Sequence, residues 1–293
     1  MNVASSNTIK DAANNSLAAT TIAITNNVAA VSSFEAETTT FMNALEIADD
    51  SSATVYTGVN GSQLWTIMND EISALKTNGL LSKIHTEYAF IGGTAAQHGV
   101  NLVNPSANTI TWFGSWVHSS LGALGNGANT YGDTGLIPSA IMQINDQGLT
   151  VTIGTNNATT QYSADIGAYP SGTSAVLLST RRGNNTAISI MNADNIAFPS
   201  IPSTDARGVF SATRVLDNSK IYKNGVLLDT KASGGTLPNT SIYIGMYNGG
   251  GSTVTSTQRF QGACIHKGFT DAEVVIYKDI INARELALGR KTW

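Results

Sequence analysis

The chain has 293 residues and a formal net charge of −4. Only 12% of its residues are charged, about half the share of an average soluble domain, and its 16 basic residues are scattered, which argues against the clustered basic footprint of nucleic-acid binding. No apolar run reaches the roughly 18 to 20 residues of a membrane span, and the single Cys264 excludes internal disulfides and cysteine-rich zinc sites.

Residues 1–60 are predicted to form an N-terminal anchor, helical or extended. This stretch is rich in Ala, Thr, Ser and Asn, so it cannot bury a core of its own. Apolar residues recur in it at intervals of seven, which keeps one seam facing a partner helix. The seam predicts a homo-oligomer, most simply a trimer; an extended anchor on another protein and a segment without fixed structure are the alternatives. The residues predicted to mediate this association are Leu17, Ile24, Val31 and Leu45 of the seam, and Val28 on a nearby face.

Residues 61–100 are predicted to be a helix followed by a linker. Apolar residues recur at three and four positions across residues 61–77, the spacing of one helix face. Asn60 or Ser62 can cap the start, and an Asn-Gly step ends the helix. Residues 84–91, which precede two glycines, are predicted to be a linker or an edge strand.

Residues 101–293 are predicted to form a β sandwich or jelly roll, because short apolar stretches alternate with Asn- and Gly-rich turns. Asn224-Gly225 is the clearest turn, since both residues tolerate the positive φ angles of a type I′ hairpin. The predicted strands are Thr109–Phe113, Ala140–Ile144, Leu149–Ile153, Ala175–Ser179, Ala187–Met191, Gly208–Val215, Lys220–Tyr222, Val226–Asp229, Ser241–Met246 and Phe260–Lys267.

The C-terminal end of the chain is predicted to be a capped helix. Thr270 and Glu273 have the spacing of a capping box, in which each side chain bonds the other residue's backbone amide. Gly289 follows as a left-handed stop. The predicted antiparallel strands, followed by this terminal helix, indicate a mainly β fold class.

Four segments of this C-terminal part, in order, resemble the concanavalin A-like (laminin-G-like) jelly-roll domain of bacteriophage virion proteins. The resemblance covers about two-thirds of the chain. It implies a component of a tail fibre, head fibre or spike, made in the host cytoplasm and displayed on the virion surface. The segments are Gly122–Thr134, Ile221–Val226, Ser241–Gly245 and Phe269–Arg290.

Two groups of residues are candidates for carbohydrate binding. Trp112 and Trp116 are four positions apart and would share one face of a strand, with His118 close by. They form either a sugar-stacking platform or part of the core. Arg181 and Arg182, followed by Asn184, form a basic turn that either binds an acidic sugar through bidentate contacts or is a solvated hairpin tip.

The sequence gives little sign of catalysis. It has no Glu between Glu87 and Glu273, and the Asp residues in that interval are mostly beside Gly or Asn, as turn residues are. The carboxylate pair that glycoside hydrolysis needs is therefore not evident. The four His residues lack a metal-binding spacing. We expect a protein that is not an enzyme and that holds no metal and no cofactor.

These observations favour a bacteriophage fibre or spike protein that is anchored by its N-terminus to other virion proteins. Its lectin-like domain would attach to host-surface carbohydrate. One alternative is a capsid or collar decoration protein with purely structural protein contacts. The other is a tail-spike enzyme that degrades glycans.

Overall fold

A computed structural model describes residues 34–157, 163–192, 201–232, 234–249 and 255–293, all within the compact unit Phe34–Trp293. The predicted oligomerisation residues Leu17, Ile24, Val28 and Val31 lie outside the described residues. No described helix has the length and apolar character that crossing a membrane would require.

The described residues form five α-helices and seventeen short strands. The helices are α1 (Ala36–Ala44), α2 (Gly61–Thr77), α3 (Ala95–His98), α4 (Pro138–Ile141) and α5 (Asp271–Ala287). The strands are β1 (Thr54–Tyr56), β2 (Val59–Asn60), β3 (Ile84–Tyr88), β4 (Thr111–Phe113), β5 (Val117–Ser119), β6 (Gly122–Leu124), β7 (Tyr131–Asp133), β8 (Asp146–Ile153), β9 (Ile166–Ser171), β10 (Ser174–Ser179), β11 (Thr186–Met191), β12 (Ile201–Pro202), β13 (Gly208–Val215), β14 (Asn218–Lys223), β15 (Val226–Ala232), β16 (Tyr243–Ile244) and β17 (Arg259–His266).

Two antiparallel sheets form a sandwich, which confirms the predicted fold class. The seven-stranded sheet has the order β12-β11-β10-β9-β16-β7-β4. The eight-stranded sheet has the order β15-β14-β13-β8-β17-β6-β5, with β3 paired to β17 outside that path. Side chains alternate along each strand, so one set of apolar residues faces inward from both sheets. Val151, Phe210, Ile166 and Val176 belong to this core.

A layer of helices covers the outer face of the eight-stranded sheet. Tyr277 and Ile281 of α5 pack with Tyr222 and Cys264 of the sheet and with Leu75 of α2 in one buried cluster. The predicted bounds and caps of both long helices are confirmed. Asn60 and Gln63 form a capping box at the start of α2, as Thr270 and Glu273 do at the start of α5.

The chain from Phe34 to Asn60 belongs to this same compact unit, so residue 60 does not separate an anchor from a folded body. Phe41 and Leu45 pack with Trp65 and Met68 of α2 and with Leu288 near the C-terminus. Leu45 is only 1% exposed, so its prediction as an oligomerisation residue is corrected. The apolar side chains of this stretch are too few to form a core of their own, and they are buried against α2 and the C-terminal segment.

The expected domain boundary near residue 101 is likewise corrected, because β3 is a strand of the sandwich. Ala263 pairs with Tyr88, and Cys264 pairs with Glu87. Of the two alternatives for residues 84–91, the edge strand is the one found. A backbone that pairs with residues about 180 positions later in the chain cannot be a linker between independent domains.

Local turn chemistry explains one success and one failure among the strand predictions. Asn224 and Gly225 both have positive φ, of 50° and 77°, as the predicted hairpin requires. The predicted strand Ala140–Ile144 is wrong, since its first residues end the single helical turn α4. Pro138 occupies the beginning of that turn, where its fixed φ favours a helix.

Candidate functional site

Trp112 and Trp116 line the edge of the sandwich core. Both are partly buried and pack against the core cluster. The indole N–H of Trp112 donates to the carbonyl of Ala95 at 2.8 Å, and that of Trp116 donates to the carbonyl of Tyr131 at 3.3 Å. Gly114, at φ 77°, turns the chain after β4, so the two indoles are not on one strand. The core alternative of the sequence analysis is therefore the one the structure favours.

His118 forms a close pair with His98. Their Nδ1 atoms are 2.9 Å apart, so one ring must donate and the other accept. Burial lowers the pKa of His98 to about 3, with further lowering from His118, and burial also lowers the pKa of His118. The pair is neutral at neutral pH and belongs to the packing around Trp112, whose ring lies 4.8 Å from that of His118.

The Arg181–Asn184 turn joins β10 to β11, away from the tryptophans. The Arg181 guanidinium donates to Asn185 Oδ1 at 2.8 Å and to Asn156 Oδ1 at 2.7 Å. Asn184 Oδ1 accepts from Thr186, and the Arg182 amide donates to the Thr186 carbonyl. Three strands separate β10 from β4, which is about 19 Å across the ladder. The two predicted groups therefore do not form one site.

A row of aromatic side chains that the sequence analysis did not select lies on the outer face of the seven-stranded sheet. Phe113 pairs with Tyr131 in register, and Tyr243 is two strands away from Phe113. The Phe113 and Tyr131 rings are stacked with centroids 4.6 Å apart and planes at 11°. The Tyr131 and Tyr243 rings are also 4.6 Å apart, at 21°. We call Phe113, Tyr131 and Tyr243 the aromatic row.

Strand alternation places the aromatic row outside the sandwich. Ile244 follows Tyr243 and is fully buried in the core, and Trp112, which precedes Phe113, packs against that core. Phe113 and Tyr243 must then point the opposite way. Because β4 is the last strand in the path of its sheet, Phe113 has no ring on its other side among the described strands and is 41% exposed.

Polar groups stand beside the aromatic row. Asp133 is paired in register with Tyr243 on one side and Thr111 on the other, so all three side chains lie on the same face. Burial raises the pKa of Tyr243, and the negative charge of Asp133 raises it further. The phenol therefore stays protonated and can donate. The free face of Phe113, with a carboxylate, a hydroxyl and phenols nearby, suits a ring-shaped ligand that has both apolar faces and hydroxyl groups.

The three glutamates that meet at Arg284 are buried and not open to a substrate, whereas Glu35 and Glu37, which meet at Lys76, are partly exposed. Arg284 donates to Glu71 at 2.5 Å, to Glu87 at 3.2 Å and to Glu285 at 2.9 Å. Arg290 donates to Glu285 at 2.6 Å. These five residues, here called the buried ion cluster, have side chains at most 1% exposed.

The buried ion cluster joins elements from both ends of the chain. Its residues come from α2, β3, α5 and the C-terminal segment, so it fixes the helix layer to the sandwich. Within the described residues, no group of three or more His, Cys, Asp or Glu side chains is arranged to hold a metal ion.

No protein-family model and no curated protein matches the chain. Solved structures do resemble it. Trypanosoma rangeli sialidase in complex with 2,3-difluoro-KDN has a TM-score of 0.51 at 12% identity, and the same sialidase with difluorosialic acid, as a covalent intermediate, has 0.51 at 13% identity. Each match covers 74% of this chain and 40% of the sialidase.

A third solved structure is domain 4 of a GH43 extracellular arabinanase from Geobacillus stearothermophilus, in complex with arabinotriose. It has 16% identity and a TM-score of 0.43, over 67% of this chain and 98% of that domain. This TM-score is too low to show that the two share a fold.

The comparisons contradict the expectation that the protein is not an enzyme, because the sialidases that share its fold are enzymes. At 12–13% identity the likeness shows the fold alone. The chain spans about two-fifths of the sialidases it matches, so their reaction is not assigned to it.

Proposed function

We propose that the protein binds neutral carbohydrate through the aromatic row. The observation that carries this proposal is three stacked rings on the outer face of a β sandwich, with the outermost, Phe113, 41% exposed. The apolar face of a pyranose ring can pack against the free face of Phe113. Sugar hydroxyls can bond to the Tyr131 and Tyr243 phenols and to Asp133.

The charge beside the aromatic row selects the class of sugar. Asp133 is an acidic residue, and the three residues of the aromatic row carry no positive charge that could offset it. A sialic or uronic acid would bring a second negative charge to this face, which costs free energy. A neutral glycan would instead use the carboxylate oxygens of Asp133 as hydrogen-bond acceptors.

The place of this activity is proposed to be the surface of a bacteriophage particle. The four ordered sequence segments that resemble phage jelly-roll domains support this setting. Contacts with other virion proteins, and association with further copies through Leu17, Ile24, Val28 and Val31, belong to the same proposal. The seven-residue spacing of Leu17, Ile24 and Val31 supports it.

A glycan array probed with the full chain tests the sugar proposal. The full chain is needed because β3 and residues 34–60 are part of the folded unit. Wild-type protein should bind neutral glycans in preference to sialylated ones. Phe113→Ala should weaken that binding about tenfold or more, since an aromatic stacking contact contributes about 0.5–1.5 kcal/mol beyond its buried area.

Val226→Ala is the matched control, because Val226 is an exposed apolar residue (64%) on β15, in the other sheet. It should leave glycan binding unchanged. Equal binding by wild-type protein and Phe113→Ala would refute the proposed site. Release of reducing sugar from a bound glycan would extend the proposal from binding to hydrolysis.

A further inference from the structure

The two long helices, α2 and α5, leave an open groove between them. The groove has a volume of about 490 Å³. Small side chains on both helices account for the space, since Ala74 on α2 and Ala283 and Ala287 on α5 line it. Ile67 and Ile280 also line it and are only partly buried. The two helices therefore contact each other without covering their apolar sides.

Acidic residues flank this apolar groove on both helices. Asp70 of α2 is exposed, and within the described residues its carboxylate has no hydrogen bond and no ion pair. Asp279 of α5 is also exposed and forms an ion pair with the neighbouring Lys278, so Asp70 is the rim carboxylate whose charge is not offset by a partner among the described residues. The one basic residue among the lining residues is Arg284, and its guanidinium is bound to Glu71 and Glu285 inside the buried ion cluster.

An apolar groove with acidic rims is complementary to a helix that has an apolar face with basic residues beside it. The residues that line the groove span positions 67–78 and 276–287, so it can contact about three turns of a bound helix, or roughly 16 Å. A second copy of the chain is a poorer occupant. In a two-fold symmetric pair the same surface meets itself, so the carboxylates of Asp70 and Asp279 would lie against the same acidic surface of the other copy.

We propose that the groove between α2 and α5 binds a basic amphipathic helix of a partner protein. The site is on the helix layer that covers the eight-stranded sheet, whereas the aromatic row is on the outer face of the seven-stranded sheet. The proposal is therefore independent of the sugar site, and either one can fail without the other.

The test uses the full chain and two synthetic 17-residue helical peptides, measured by fluorescence anisotropy. Both peptides carry Leu at three- and four-residue spacing; one has Lys at the flanking positions and the other has Glu. The Lys peptide should bind wild-type protein at least tenfold more tightly than the Glu peptide, and added salt should weaken its binding. The double variant Asp70→Lys/Asp279→Lys should reverse this preference.

Two further variants keep the test interpretable. Asp49→Lys/Asp217→Lys makes the same change in net charge at exposed positions outside the groove lining, and it should leave the peptide preference unchanged. Ala283→Trp fills the groove from an exposed position and should abolish binding of the Lys peptide while the far-ultraviolet circular dichroism spectrum stays the same.

The proposal is overturned if both peptides bind equally or if neither binds. It is also overturned if light scattering shows that wild-type protein dimerises and that Ala283→Trp makes it monomeric, because the groove would then bind a second copy. Glycan binding should be the same in all these variants.

Discussion

The buried ion cluster contains three carboxyl groups and only two guanidinium groups. Replacing one of its glutamates by glutamine should therefore destabilise the protein by an amount that depends on which glutamate is replaced. Glu285 accepts hydrogen bonds from Arg290 at 2.6 and 2.8 Å and from Arg284 at 2.9 Å. Glu71 accepts one, from Arg284, and its Oε2 has no hydrogen-bond donor. Burial raises the pKa of Glu71 well above its usual value, and the charge of Glu87 raises it further. We therefore expect Glu71 to be the carboxyl group of the cluster that is protonated.

Glu285→Gln should destabilise the protein far more than Glu71→Gln. Removing the charge of Glu285 leaves the buried guanidinium of Arg290 without a carboxylate partner and takes one of three from Arg284, which costs about 3–5 kcal/mol of unfolding free energy. For a chain of this size that corresponds to a fall in melting temperature of roughly 6–20 °C. Glu71→Gln replaces a neutral carboxylic acid by a neutral amide and should cost about 1 kcal/mol or less.

The pH dependence gives a second measurement on the same variants. Between the unfolded pKa of Glu71, near 4.5, and its higher pKa in the folded protein, the folded state binds the proton more tightly than the unfolded state. The stability of wild-type protein therefore falls as pH rises through this window, by up to about 1.4 kcal/mol per pH unit. Glu71→Gln removes this slope, so the variant should gain stability relative to wild type from pH 5 to pH 8.

Urea unfolding monitored by tryptophan fluorescence, at several pH values, measures both effects. The reasoning fails if Glu71→Gln and Glu285→Gln lower the unfolding free energy equally at pH 7. It also fails if the difference between wild type and Glu71→Gln is the same at pH 5 and pH 8, because Glu71 would then be ionised throughout.

Two other predictions concern the histidine pair and the fold boundary. Burial lowers the pKa of His98 to about 3, whereas its unfolded pKa is about 6.5. The neutral imidazole therefore contributes stability above pH 6.5, and this stability is lost as pH falls towards 3. His98→Leu should make the unfolding free energy less dependent on pH in this acid range, and an unchanged acid slope in urea titrations would contradict this. A fragment of residues 101–293 lacks β3, Glu71 and Glu87 and should fail to fold cooperatively, whereas a fragment of residues 34–293 should fold. A sharp melting transition from the shorter fragment would show that β3 is dispensable.

The sequence alone determined the features that depend on residues close together in the chain. The capping box at Thr270, the Asn60 cap (one of two candidates) and the Asn224-Gly225 hairpin were predicted correctly, because each is made by side chains and φ angles within a few positions. The alternation of apolar residues likewise predicted most of the long strands of the sandwich. Pro138 carried a local signal too, and reading it would have avoided the false strand at residues 140–144.

Only the tertiary structure decided which of these elements meet. Phe113 and Tyr243 are 130 positions apart, and their stacking on Tyr131 depends on strand register, which no local pattern fixes. Arg284 is 213 positions from Glu71, and burying such charges is favourable only when several partners converge. The helix ends and turns follow from interactions within the chain's immediate neighbourhood, whereas the aromatic row, the buried ion cluster and the inclusion of residues 34–60 follow from long-range packing.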